Sequence, residues 1–201
     1  MVWRLVSLRR LLIKMEIGKT LYVHHREDWR AWLEKNFDKA EEIWLVNPNK
    51  ASGKPRLPYN DAVEEALCFG WIDSIIKKLD TDNAVQRYTP RNPKSAYSQQ
   101  NKERLRWLAE HNLIHPTIQE SIQSVLEEGF VFPPDILAAI KANPQAWKNY
   151  QSFSPAYQRI RVAYIDSARK RPEEFRKRLA NFIKKTEQNK QIGYGGIDKY
   201  F

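Results

Sequence analysis

A chain of 201 residues, 42% apolar and 29% charged, can bury one large core or two small ones, and this composition excludes disorder throughout. Its single cysteine, Cys68, excludes an internal disulfide, and Arg9, Arg10 and Lys14 break the apolar opening before a signal peptide or membrane span is complete, so a cytoplasmic protein without a transmembrane segment is expected. The net charge of +10 sits at the ends: residues 1–20 hold +4 and residues 151–201 hold +7, leaving the stretch between at −1.

In chain order, residues 1–19 read as a basic tail, since Met15 opens a more typical start. Lys19 to Val23 is a short β-type run, and Trp29, Trp32, Leu33 and Phe37 recur at helical spacing after it. Glu42 to Val46 predicts a second strand, closed by the turn-rich NPNKASGKPRLP. Asn60 is the expected cap of a helix carrying Val63, Ala66 and Leu67 inward, with Gly70 as its stop. Trp71 to Leu79 and Ala84 to Tyr88 flank the turn formers DTDN and predict a β-hairpin.

From Ser98 the apolar spacing turns helical, with Gly129 as a C-cap candidate. Four Pro-led helix starts follow at Pro134, Pro144, Pro155 and Pro172. The expected fold class is α+β: a domain over 20–130 with a small antiparallel sheet and hairpin, then an all-α domain over 131–190 and a flexible tail over 191–201.

The runs EALCFGWIDSIIKKLD (65–80) and RYTPRNPKSAYSQQN (87–101) resemble the signature of the YdeI/OmpD-associated, or bacteriocin-protection, family, and residues 133–185 resemble its helical C-terminal domain. The likeness runs over about residues 20–190 in continuous order, with Tyr97 where Trp is common and His25 where a capping Ser is usual. The resemblance implies stress or bacteriocin protection and association with membrane proteins, with no agreed reaction.

Among candidate sites, the hairpin brings Trp71, Asp73, Arg87 and Arg91 near one another, and Ser95, Ser98 and Asn101 follow at a helix start. Together they could form an anion pocket, because Arg offers a bidentate fork and a helix N-terminus offers free N–H groups. The plainer and favoured reading makes Asp73 the salt-bridge partner of Arg87 or Arg91, with Ser98 a cap and Asn101 a loop tie. Arg169, Lys170, Arg171, Arg176, Lys177, Arg178, Lys184 and Lys185 form a second candidate, a basic face for nucleic acid interleaved with Glu173, Glu174 and Glu187. Cys68 is expected to be a buried structural thiol, Glu64 and Glu65 to be surface groups, and His111 and His115 to lie on either side of a helix end. No catalytic residue, cofactor or metal site is assigned. The expected function is non-catalytic binding or protection, with nucleic-acid binding or an enzyme acting on a small anion as alternatives and a protein partner left open.

Overall fold

The computed structural model describes residues 16–193, so the readings made for residues 1–15 and 194–201 fall outside the described residues. Strand β1 (Thr20–Leu21) is followed by helix α1 (Arg26–Asn36), whose Trp29 and Leu33 are buried one turn apart. Strand β2 (Ile43–Pro48) leads through a 3₁₀ turn at Lys50–Ser52 into α2 (Tyr59–Cys68). That helix starts earlier than the capping pattern predicts. Pro58 occupies the cap position, and the Asn60 carbonyl accepts instead from Arg104 Nη2 at 2.7 Å. Gly70 ends the segment at φ +71°, a left-handed conformation that a side chain would strain.

The expected hairpin is present as β3 (Trp71–Lys78) and β4 (Asn83–Pro90). Its turn is organised by Asp80, whose Oδ1 accepts from the backbone N–H groups of Asp82 and Asn83. The sheet order is β1-β2-β4-β3, with β1 parallel to β2 and the other pairings antiparallel. A bulge between Asp73 and Ile76 inserts one residue into β3, so that Asp73 lies opposite Tyr88 and Ile76 lies opposite Gln86.

All described residues after the sheet that take regular structure are helical. These are α3 (Gln99–Glu110), α4 (Pro116–Glu127), α5 (Pro134–Lys141), α6 (Pro144–Ser152), α7 (Pro155–Asp166) and α8 (Pro172–Glu187), which together with the four strands make a mixed α+β chain. Asn143 and Ser154 cap α6 and α7 through their side-chain oxygens, and Pro occupies the first turn of α4 to α8, where its missing N–H breaks no bond. Glu128, with extended backbone, closes α4, one residue before the expected Gly129.

Two apolar clusters result. One joins α1 to α4 with a sheet face through Trp29, Ile43, Leu67, Tyr88, Leu105 and Ile122. The other joins α5 to α8 through Ile136, Ile140, Tyr150, Tyr157, Ile165 and Phe182. Between them the Glu103 carboxylate on α3 accepts both Nε and Nη2 of Arg159 on α7, each at 2.7 Å.

Candidate functional site

The hairpin's end and the start of α3 enclose a hollow of about 320 Å³. Arg91 leaves β4 with its backbone N–H donating to the Gly70 carbonyl at 2.9 Å, which ties this residue to the turn that ends α2. Its guanidinium lies 3.5 Å from the centroid of the Tyr97 ring, and no carboxylate among the described residues pairs with it. Burial raises the Tyr97 phenol above its ordinary value, with Arg91 opposing the shift.

Ser95, Ser98 and Asn101 line the same hollow. Ser98 caps α3 by accepting from the Asn101 N–H at 3.3 Å, as its position predicts, and Asn101 Oδ1 accepts from Arg104 Nη1 at 2.8 Å. The first-turn N–H groups of α3 therefore sit beside an arginine without a countercharge, a combination that favours an anion.

The structure does not bring Trp71, Asp73 or Arg87 into that hollow. Trp71 is core: its indole N–H donates to the Phe37 carbonyl at 3.0 Å and its ring meets Trp32 edge-on. Asp73 Oδ2 accepts from Tyr59 Oη at 3.0 Å and Gln86 Nε2 at 2.7 Å. Arg87 donates to Glu42 at 2.5 Å. The expected Asp73 salt bridge to Arg87 or Arg91 does not form, because Asp73 stands opposite Tyr88, and Arg87, one residue earlier in β4, points to the other sheet face. Trp44, and then Arg87, hold the Glu42 carboxyl below its usual 4.5.

Glu64 and Glu65 are a correction. Expected at the surface, they are 0% and 2% exposed. Arg26 donates to both, reaching Glu64 at 2.8 Å, and Arg30 donates to Glu65 at 2.7 Å and to the Leu113 carbonyl at 3.0 Å. Burial opposes the Arg26 charge, yet Glu65 and Glu64 together raise its pKa. The available signal was the pairing of two i,i+4 charge stripes of opposite sign, Arg26 with Arg30 and Asp61 with Glu65. Cys68 beside them is buried, and burial pushes its thiol up to about 12 against the pull of Arg30. His111 ends α3 and His115 caps α4, so a helix end does separate them.

On the basic face, the arginines have intramolecular partners. Arg169 binds Asp166 and Asp135, Arg176 binds Glu173, and Arg178 binds Glu174 while stacking on Tyr164. Lys170, Arg171, Lys177, Lys184 and Lys185 have no ion pair among the described residues.

Comparison with known proteins finds two matched regions. Residues 21–121 match the model of a domain of unknown function (DUF8412), and residues 129–189 match the family model described as Bacteriocin-protection, YdeI or OmpD-Associated. The hairpin motifs thus fall in the first matched region, and the helical run at 133–185 falls in the second. No curated protein and no solved structure matches the chain. Among the described residues no helix is long and apolar enough to cross a membrane. Residues 129–189 thus match the YdeI/OmpD-associated, bacteriocin-protection family, and through residues 21–121, half of its length, the chain belongs to the family of the domain of unknown function DUF8412.

Proposed function

We propose that this is a non-catalytic, cytoplasmic binding protein serving bacteriocin or stress protection, and that it takes a small anion in the Arg91 hollow. In this reading residues 20–130 carry the ligand site and residues 131–190 form a separate helical domain. One observation carries it: Arg91 lacks a carboxylate partner among the described residues and lies in the hollow that Ser95, Ser98 and Asn101 line at the start of α3. The enzymatic alternative would need Asp73 beside Arg91 and Ser98, and Asp73 is engaged by Tyr59 and Gln86 on the other face of the hairpin. The nucleic-acid alternative is weakened by the ion pairs that Arg169, Arg176 and Arg178 already make.

Titration calorimetry with inorganic phosphate and citrate tests the proposal. Binding is expected to fall at least tenfold in Arg91→Ala; binding unchanged by that substitution refutes the site. A parallel arm with mixed-sequence nucleic acid at low and high salt addresses the basic face, where loss of binding with salt would favour the alternative.

A further inference from the structure

The hairpin has a second hollow, on the face opposite Ile72, Thr89 and Arg91. It measures about 340 Å³ and lies between β2, β4 and the loop running from Asn49 to Tyr59. That size is at the small end of ligand pockets, about 300–1,000 Å³. Its polar groups are unusual in what they leave open. Gln86 is 4% exposed; its amide N–H donates to Asp73, and its carbonyl oxygen has no partner among the described residues. Tyr88 is 1% exposed and lines the hollow, and its hydroxyl likewise has no hydrogen-bond partner among the described residues. Neither oxygen is among the fully enclosed polar atoms left without a partner, so both keep contact with solvent and are open to a ligand.

The unused capacity is mostly of one kind. A carboxylate accepts about four hydrogen bonds. Two at Asp73 come from Tyr59 and Gln86, so its remaining capacity and the Gln86 carbonyl are both acceptors, with the Tyr88 hydroxyl beside them able to accept as well. Across the hollow, Arg56 on the loop carries a positive charge with no ion pair among the described residues. Tyr59, 53% exposed, and Ile76 supply apolar surface at the rim.

We infer that this hollow binds a small molecule combining a planar fork of N–H donors, held by Gln86 and by Asp73, which is bonded to the lining residues Tyr59 and Gln86, with an anionic group held by Arg56. A planar N–C–N donor unit suits a carboxylate because two parallel N–H bonds meet its two oxygens, and a guanidinium fork suits phosphate or carboxylate on the same geometric ground. Two sources share this chemistry: guanine nucleotides, which join the fork to a phosphate, and arginine, which joins it to a carboxylate. The site is independent of the Arg91 hollow.

The test is calorimetric titration of the full chain with GMP and with L-arginine, against AMP and L-norleucine, which keep the anionic group and lack the fork. The expected result is saturable binding of GMP or of L-arginine at least tenfold tighter than its control, and which of the two binds identifies the source. Arg56→Ala, on an exposed loop, should weaken that binding at least tenfold, whereas Arg91→Ala should leave it unchanged. Asp73→Asn, which replaces one acceptor oxygen by a donor, should abolish it, with the folded state of this variant checked by its unfolding transition. Tyr88→Phe, which removes only the hydroxyl, supplies the corresponding reading if Asp73→Asn does not fold, and should weaken binding severalfold. Absence of binding by both probes, equal binding of the controls, or indifference to Arg56→Ala overturns the inference.

Discussion

Replacing Glu65 by Ala examines how the first two helices are held together. The carboxylate is 2% exposed and receives one charged hydrogen bond from Arg26 and another, at 2.7 Å, from Arg30. Removing one member of a buried ion pair costs about 3–5 kcal/mol when the other is stranded. Here neither arginine is stranded. Arg26 keeps Glu64 at 2.8 Å, and Arg30 keeps the Leu113 carbonyl at 3.0 Å and its place 5.2 Å from the Phe69 ring centroid. Water also reaches both arginines, whose side chains are 24% and 35% exposed, so the loss falls at or below the lower end of that range. The expected loss is about 2–3 kcal/mol, with Glu65→Gln losing less because it keeps the shape and one acceptor. Urea unfolding at neutral pH reads the change from the shift in midpoint at constant slope. A loss below about 0.5 kcal/mol would mean that the network is replaceable by packing alone, and the account given for α1 and α2 would fail.

Three further outcomes are expected. Cys68, buried and with its thiol pushed up to about 12, should resist a thiol-reactive disulfide reagent in the native protein and react at once in denaturant; fast native labelling would contradict its placement. Glu42 has a depressed pKa, so its stabilising contribution is present above the ordinary 4.5 and is lost as pH falls through the lower folded value. Arg87→Gln should therefore be less stable than the parent at neutral pH, with the gap closing in acid; a gap independent of pH would sink the assignment. Glu103→Ala should cost about 2–4 kcal/mol and separate the transitions of the two apolar clusters, seen as fluorescence and far-ultraviolet dichroism curves that no longer coincide.

Local signals carried most of the fold. The DTDN turn, the Pro-led helix starts and Gly70 act within a few residues, and the hairpin and the helices α5 to α8 follow from them. What failed to show was pairing across distance. Glu64 and Glu65 look like ordinary surface acids until Arg26 and Arg30, more than thirty residues earlier, are laid against them. Asn60 has the chemistry of a cap, and only the path of the chain through Pro58 moves it into the first turn, towards Arg104. The candidate site was legible where it is local, at Arg91, Ser95, Ser98 and Asn101. Asp73 and Arg87 were misjudged because their relation depends on strand register, which composition does not encode.

The bulge in β3 makes strand register a matter of parity. Above it the residue facing Tyr88 is odd-numbered, Asp73; below it the residue facing Gln86 is even-numbered, Ile76. Deleting either Ser74 or Ile75 would remove the extra residue and leave an uninterrupted ladder, with Asp73 still opposite Tyr88 and Ile76 still opposite Gln86. The bulge is thus the place in β3 where a single residue can be lost without moving those that face Gln86 and Tyr88, whereas a single loss elsewhere in the paired strand shifts one half of it by one position and turns its side chains to the other face.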